Sequence, residues 1–370
     1  MENLQISVVI PLYNHENYIE EAIRSVLDQQ IDRIEIIIID DGSLDRSPDI
    51  VSAIRDRRIR FYSQENKGAH DAINRGIRLA EGKYIAILNS DDLYYPDRLA
   101  ICLDYLENEK SVDALCTKVE AIDASGNHLY YFQTRPSCTN NDLRSHPDQL
   151  IALDLLGVNV TTTTSNLVCR KEVFDQVGMF RSFRYCHDLD WLLRCVTQKH
   201  VRIFPEPLLR YRFHGANTIM ENSAMVCFEV GLVLTDFFVA HREGCLPQDM
   251  NSSWKMTEIY RSLQFAGIDR MLSVLGITVR KNKEWYELMT KLLNEENDPF
   301  RVACLESIQA SLQDDKERDF LRREHARLSQ ELKSVKETNE LLQRSISCRI
   351  GRLMTWPARC FFQGFRKNSL

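Results

Sequence analysis

Two adjacent carboxylates, Asp91 and Asp92, follow soon after the apolar segment Tyr84–Leu88. Five apolar residues in a row after Gly82 predict a strand that is buried on both faces. Neighbouring carboxylates at the end of such a strand repel one another unless a cation lies between them, which predicts a cation site. The alternative is that the two acids cap a helix that begins near residues 95–96.

Polar residues also follow two earlier strands. The segment Ile6–Pro11 predicts a strand that ends at its proline, because proline cannot donate to a strand ladder. A second apolar run, Ile34–Ile39, ends at a pair of acids. Ligands bind at the carboxyl ends of the strands in an open parallel sheet. One crevice is therefore expected to collect Pro11, Tyr13, Asn14, Asp40, Asp41, Asn89, Asp91 and Asp92.

The order of these segments predicts the fold class. Strand patterns alternate with amphipathic helix patterns over 16–30, 45–56 and 68–79, and a short strand is predicted over 59–62. This alternation predicts an α/β fold with a doubly wound, mainly parallel sheet and right-handed crossovers. Helical patterns dominate from about residue 223, so an α-helical C-terminal region is expected after the sheet.

Composition and missing motifs narrow the function classes. The 370 residues are 44% hydrophobic and 27% charged, as in globular proteins, and the net charge of -6 gives no general attraction to nucleic acid. The sequence contains neither GxGxxG nor GxxxxGK(S/T), which argues against a dinucleotide enzyme and a P-loop NTPase. A crevice rich in carboxylates instead favours a nucleotide whose phosphates are held by a divalent metal. Eleven scattered cysteines and no signal peptide predict a cytoplasmic protein.

Five short motifs, in matching order and spacing, resemble those of the family 2 glycosyltransferases, which have the GT-A fold, a nucleotide-sugar-binding, Rossmann-like sheet. The motifs are Ser7–Asn14, Ile39–Ser43, Asn66–Gly68, Asn74–Gly76 and Asn89–Asp92. The resemblance implies an inverting transfer of a sugar from a nucleotide-sugar donor, a UDP-sugar first of all, to a hydroxyl of a glycan or lipid-linked acceptor in cell-surface polysaccharide synthesis. It also implies a divalent metal cofactor, Mn2+ or Mg2+, at the diphosphate.

The resemblance also implies roles for single residues. Those that would hold the nucleotide base are Pro11, Tyr13, Asn14 and Asp41, with Asp40 beside them. Asp91 would contact the ribose and the diphosphate, and Asp92 would ligate the metal. Lys67 and Arg75 are candidates to neutralise phosphate, but both charges also fit a solvated loop or helix face.

A further acid stands at the start of a later helix. Leu189 and Leu192 recur at helical spacing, which predicts Asp188 in the first turn of an amphipathic helix. In one interpretation this carboxylate only favours the helix dipole. In family 2 an acidic pair before a helix carries the catalytic base, and Asp188 falls on that position. Asp190 lies further along and is less well placed.

The segment Leu209–His214 resembles the tyrosine–arginine–x–histidine sequence that closes the family's catalytic domain near the diphosphate. This match makes Arg212 and His214 candidate phosphate or metal contacts, although a lone histidine on a strand is more often structural. Ahead of it, Thr161–Thr164 fit an acceptor groove or a strand, and their high β-propensity favours the strand.

Two positions depart from the family pattern. Asn89 stands where many members have Asp, and its amide brings no charge to a metal site. His187 stands where the first acid of the pair is expected. These departures keep a non-catalytic nucleotide-sugar-binding scaffold as one alternative. A sugar nucleotidyltransferase is the other, although it would ordinarily have a glycine-rich basic loop after its first strand, which Tyr13–Glu16 does not supply.

The sequence predicts four parts: a catalytic domain over 1–220, a helical accessory region over 221–313, a coiled coil over 314–346 and a basic, aromatic amphipathic tail over 347–370. Apolar residues spaced by seven, with Asn339 at an a position, predict a parallel two-stranded coiled coil and a homodimer. A single long helix on the body of the protein is the alternative. The tail has no acid and fits peripheral contact with the inner face of a membrane, or docking of a partner protein.

Overall fold

The computed structural model describes residues 4–132, 155, 159, 161–240 and 282–313. Its first part confirms the predicted alternation of strands and helices. The elements are β1 (Ile6–Leu12), α1 (Ile19–Leu27), β2 (Ile34–Asp40), α2 (Ser47–Ala53), β3 (Ile59–Ser63), α3 (Ala69–Leu79) and β4 (Tyr84–Ile87).

The second part contains shorter strands and more helix. Its elements are β5 (Leu93–Tyr94), α4 (Arg98–Asn108), β6 (Ala114–Ile122), β7 (His128–Tyr131), β8 (Val168–Arg170), α5 (Glu172–Val177), α6 (His187–Val196), β9 (Val201–Arg212), α7 (Ser223–Ala240) and α8 (Asn282–Asn294). The helix predicted near residues 95–96 begins at Arg98, because β5 intervenes between the two acids and the helix.

Within the described residues, one nine-stranded sheet runs in the order β3-β2-β1-β4-β8-β6-β9-β5, with β7 paired to β6. Strands β1 to β4 pair in parallel, as do β6 and β9, and the remaining pairs are antiparallel. The predicted α/β class with a doubly wound, mainly parallel sheet is confirmed.

The register of the central strands explains why distant polar segments meet. Leu12 at the end of β1 pairs with Asp40 at the end of β2, and β4 runs parallel on the other side of β1. All residues of β1, β2 and β4 are buried, as expected for parallel strands covered on both faces. The loops after these three strands therefore leave the same edge of the sheet.

Helix α3 packs closely on β1, and the motif Asn74–Gly76 explains how. A Cβ atom at Gly76 would lie 2.3 Å from Val9 Cγ1, so only glycine fits this contact. The Asn74 side chain donates to Phe180 O at 2.8 Å and accepts from Phe180 N at 3.0 Å. This pair of bonds joins α3 to the segment that leads into α6.

Strand β9 contains two prolines although it lies between β6 and β5 in the sheet. Proline has no N–H group to donate to a strand ladder, so it is unusual inside a strand. In the structure both prolines lie within β9, and its pairing with β6 shifts register around Lys118. The sheet thus accommodates the prolines through an irregular stretch rather than by ending.

In the part of the chain that the structure describes, α7 and α8 follow the sheet, and residues 299–313 are also helical. Among the described residues, no helix combines the length and the apolar character needed to cross a membrane. The predicted coiled coil, with Asn339, and the predicted tail over 347–370 lie outside the described residues. The four predicted domain boundaries stay predictions.

Candidate active site

The side chains of His15, Asp91 and His214 meet at the carboxyl-end edge of the sheet. His214 Nε2 lies 3.0 Å from Asp91 Oδ2, and His15 Nε2 lies 4.0 Å from the same oxygen. One ligand atom from each residue lies within 4.8 Å of the other two. Imidazole and carboxylate groups are accepted ligands of divalent transition metals, so this donor set fits the metal that the sequence resemblance implies.

The segments that follow β1, β4 and β9 bring this group together. His15 follows β1. Its backbone N–H donates to Ser47 Oγ at 3.0 Å, and its Nδ1 lies 2.7 Å from Ser90 Oγ. His214 follows β9, and its ring stacks on Tyr18 with centroids 4.7 Å apart. Hydrogen bonds and stacking therefore fix both imidazole rings beside the acid that follows β4.

The protonation states of His15 and Asp91 suit metal binding. Burial lowers the pKa of His15, which favours the neutral imidazole that binds metals. Burial acts to raise the pKa of Asp91, but the hydrogen bond from His214 and the electrostatic interaction with the two imidazole rings hold that pKa below its usual value. Asp91 is therefore ionised, as a metal ligand must be.

Asp92 is fully buried and bonds to other parts of the protein. Its Oδ2 accepts from Ser165 Oγ at 2.5 Å and its Oδ1 accepts from Arg212 N at 3.0 Å. Burial and the neighbouring charge of Asp91 raise the pKa of Asp92 well above its usual value. The geometry thus favours Asp91 as the ligand, and the assignment of the metal to Asp92 stays a prediction.

Asn89, the departure from the family's usual acid, uses its amide as a donor. Its Nδ2 donates to Thr163 Oγ1 at 3.0 Å and lies 3.5 Å from Asp92 Oδ2. Its backbone N–H donates to Ser165 Oγ at 2.8 Å. A carboxylate here would bring a second acid next to Asp92 and could not donate to Thr163, so the amide suits this geometry.

The acids after β2 order a neighbouring loop. Asp41 is 3% exposed; its Oδ1 accepts from Gln64 Nε2 at 2.8 Å and from Lys67 N at 3.0 Å. Its Oδ2 accepts from Gly68 N at 2.8 Å. Gly68 has a φ of +93°, which favours glycine at this turn. Asp41 therefore fixes the Asn66–Gly68 motif at the edge of the sheet.

The loop after β1 is tied to the loop after β2. Asn14 has a φ of 53°, and its Oδ1 accepts from Leu44 N at 2.7 Å. Asp40 Oδ1 accepts from Ser43 N at 3.1 Å. The Tyr13 side chain is 43% exposed beside these loops, which leaves its ring accessible to a ligand.

Three other predicted residues lie at the margin of this edge. Pro11 is buried within β1. The Lys67 side chain is exposed. Arg75 Nη1 donates to Ser63 O at 2.8 Å and to Gln64 Oε1 at 3.2 Å, so its charge anchors the end of β3.

Asp188 lies in the first turn of α6, as predicted, and is partly exposed. Its Oδ2 accepts from Asn159 Nδ2 at 2.9 Å and its Oδ1 from Leu189 N at 2.7 Å. Burial raises the pKa of Asp188, although His187 and these hydrogen bonds oppose the shift. A carboxylate with a raised pKa is better suited to accept a proton near neutral pH.

The segment 161–166 bridges the end of β4 and the start of α6. Thr163 receives the hydrogen bond from Asn89, and Thr164 Oγ1 lies 3.1 Å from His187 Nε2. Thr161 and Thr163 line a small cavity with Asp188. The predicted strand over Thr161–Thr164 is wrong, because side-chain hydrogen bonds hold these residues in a turn and a 3-10 helix.

Asp190 and Arg212 have protein partners that occupy their charges. Asp190 is 1% exposed and pairs with Arg181 and with Arg194, the latter at 3.0 Å. Arg212 is also 1% exposed; its Nε donates to Asp91 O at 2.9 Å and its Nη2 to Glu21 Oε2 at 2.7 Å. In this structure both residues support the site rather than face a ligand.

Sequence reasoning gave no role to His15. It directly follows the Tyr13–Asn14 turn, and that adjacency was the available signal. The His15 ring lies near Asp91 because β1 and β4 are adjacent parallel strands, and this adjacency is known only from the fold.

The first part of the chain matches a known protein family. The glycosyl transferase family 2 model matches residues 7–178. Residues 7–178 form a glycosyl transferase family 2 domain. An uncharacterized glycosyltransferase of Rickettsia typhi is 32% identical over 222 residues, which cover 58% of this chain and 65% of that relative. The chain thus spans about 65% of the length of the first curated relatives it matches.

Solved structures support the fold of the family 2 domain. S. aureus TarS 1-349 in complex with UDP-GlcNAc aligns with a TM-score of 0.51 and 13% identity, covering 85% of this chain and 92% of that chain. The mannosyltransferase PcManGT from Pyrobaculum calidifontis, in complex with GDP-Man and Mn2+, aligns at 0.50 and 18%, covering 84% and 88%. At these identities the likeness establishes a GT-A-like fold.

Proposed function

We propose that this chain is an inverting glycosyltransferase, which moves a sugar from a nucleotide-sugar donor to a hydroxyl of a glycan or lipid-linked acceptor in cell-surface polysaccharide synthesis. One observation carries the proposal. The segment 161–166 contacts Asn89 and Asp92, beside Asp91 of the metal-fitting group, and also contacts His187, the neighbour of Asp188. These contacts support the proposal that a leaving-group site and a base share one cleft.

The donor proposed first is a UDP-sugar. The UDP-GlcNAc bound to TarS and the GDP-Man bound to PcManGT both belong to the nucleoside diphosphate sugars, which supports the donor class. In this chain the exposed Tyr13 ring and the loop fixed by Asp41 border the edge where the base would lie.

His15, Asp91 and His214 would hold the divalent metal. When bound, the metal supplies positive charge that stabilises the diphosphate leaving group. Two imidazole ligands favour Mn2+ over Mg2+, since Mg2+ prefers oxygen ligands and octahedral geometry.

Asp188 acts as the general base in the proposed reaction. The acceptor oxygen attacks the anomeric carbon, its proton passes to the Asp188 carboxylate, and the bond from carbon to the diphosphate oxygen breaks. Each oxygen of Asp188 accepts one hydrogen bond, from Asn159 or Leu189. Each oxygen therefore keeps a lone pair for the acceptor proton. Such assistance is typically worth about 10²–10⁴-fold in rate.

A panel of nucleotide sugars, incubated with Mn2+ and glycan or lipid-linked acceptors, tests the proposal. Release of a nucleoside diphosphate together with a glycosylated acceptor is the expected result. Release of pyrophosphate would instead identify a nucleotidyltransferase. Donor binding without turnover would identify a nucleotide-sugar-binding scaffold, the alternative that Asn89 and His187 keep open.

Dimerisation and membrane contact are further proposals that rest on the sequence. The coiled coil over 314–346 would join two copies, and the tail over 347–370 would contact the cytoplasmic face of a membrane. Deletion of 347–370 is expected to release the protein from sedimenting membranes. Unchanged sedimentation would contradict the role of the tail.

A further inference from the structure

A buried acid of the accessory region bonds to the loop that enters α6. Glu229 of α7 is 2% exposed. Its Oε1 accepts from Arg184 N at 2.9 Å, and its Oε2 accepts from Tyr185 N at 2.7 Å and from Cys186 N at 3.0 Å. Three consecutive backbone N–H groups thus converge on one carboxylate.

These N–H groups immediately precede the helix that carries Asp188. The first N–H groups of a helix have no partner within the helix, and a capping side chain normally satisfies them. Among the described residues, the N-cap of α6 is Cys186, whose side chain makes no capping hydrogen bond. From α7, Glu229 therefore binds the N–H of this N-cap residue and the two N–H groups before it.

A second buried contact joins the same elements. Arg181, which pairs with Asp190 of α6, also pairs with Asp236 of α7 at 2.6 Å. Trp285 Nε1 of α8 donates to Asp236 Oδ1 at 2.7 Å. Asp236 is 6% exposed and Trp285 is 1% exposed, so the contact is shielded from solvent. The N-terminal end of α6 is thus joined to α7 by Glu229, just before the helix, and through Arg181, which pairs with Asp190 in its first turn.

We propose that Glu229 is a positioning residue, which holds the first turn of α6 so that Asp188 faces the acceptor hydroxyl. The inference rests on the proposed function, because it assigns Glu229 to the geometry of that base. It also makes α7, which lies outside residues 7–178, a part of the catalytic unit. A misplacement of about 1 Å in a reacting group can cost about 10²-fold in rate.

The test is Glu229→Gln in the full chain. The amide keeps the size of the side chain but turns an NH2 group toward at least one backbone N–H, which weakens the hold on the turn. The kcat for transfer is expected to fall about 10- to 100-fold, while the donor KM stays within about twofold, because the donor edge does not contact Glu229.

The matched control is Phe228→Leu, on the same helix. The Phe228 ring is buried, and Cζ of the Arg301 guanidinium lies 6.0 Å from the centroid of that ring. The smaller side chain is expected to lower Tm by about 2–4 °C, yet to leave kcat within about twofold below the melting range. A merely structural role of Glu229 would make the two variants alike.

The positioning role is overturned if Glu229→Gln keeps the kcat of the unsubstituted protein. It is also overturned if both variants lose activity in proportion to their loss of Tm, with kcat and KM changing together. If the unsubstituted protein transfers no sugar, the proposed function fails and hydrogen exchange still tests the contact. Amides 184–188 are expected to exchange faster in Glu229→Gln, and unchanged exchange overturns the inference.

Discussion

The two sides of the proposed cleft are built differently. On the proposed donor side, Asp41 and Asp91 follow strands of the parallel part of the sheet, and Asp41 is fixed by backbone N–H groups of a nearby loop. On the proposed acceptor side, Asp188 accepts a hydrogen bond from Asn159, and the Glu229 carboxylate binds the preceding residues from another helix. Changes on the donor side should therefore affect binding, whereas changes on the acceptor side should affect turnover.

The largest effect is expected for Asp188→Asn. Without a base, the kcat for transfer should fall about 10²–10⁴-fold, while donor affinity stays near that of the unsubstituted protein. Transfer rates and donor titrations measure the two quantities. Full turnover by this variant would remove Asp188 from the role of base.

A comparison of Asp91→Asn with Asp92→Asn tests which acid holds the metal. Removal of a charged ligand should lower Mn2+ affinity by at least about 10- to 100-fold, whereas Asp92→Asn should leave it within about threefold. Direct Mn2+ titration, without donor or acceptor, measures both. If Asp92→Asn alone lost the metal, the ligand assignment from the resemblance would hold and the geometric one would not.

The pH dependence of turnover should carry the signature of the acceptor side. Asp188 must be ionised to take a proton, so kcat falls as the pH drops below its pKa. Because burial raises the pKa of Asp188, the acidic limb should lie above the ordinary aspartate value of about 3.9. A pH profile of kcat at saturating donor measures this, and a limb at or below the ordinary value would contradict a base whose pKa is raised.

Asn89→Asp should have the smallest effect. The new carboxylate would lose the hydrogen bond to Thr163 and would lie near Asp92. We expect the free energy of unfolding to fall by about 1 kcal/mol, measured by urea denaturation without metal. A gain in stability would indicate that the amide is not adapted to this geometry.

The same contrast explains what the sequence could predict. Each strand end is marked locally by polar residues that follow an apolar run, so periodicity predicts β1 to β4. Their parallel order then predicts that Asp91 lies near the loops after β1 and β2. His214 could be predicted as a site residue because it lies in a family motif. His15 could not, because its position beside Asp91 depends on which strands are neighbours.

Long-range contacts account for what the sequence did not predict. The contact of Glu229 with Tyr185 joins residues 44 positions apart, and no local pattern reports it. The length of β9 depends on pairing with β6, which overrides the local effect of Pro205 and Pro207. The threonines have high β-propensity but do not form a strand, because Thr163 and Thr164 bond to Asn89 and His187. Both partners lie far away in the sequence.

The most direct test of the central claim is the anomeric configuration of the transferred sugar, read by NMR from the product of an accepted donor and acceptor. A single displacement between the metal-side diphosphate and an acceptor activated by Asp188 must invert the anomeric carbon. The account predicts that the sugar in the product has the anomeric configuration opposite to that in the donor. Retention of configuration would contradict it.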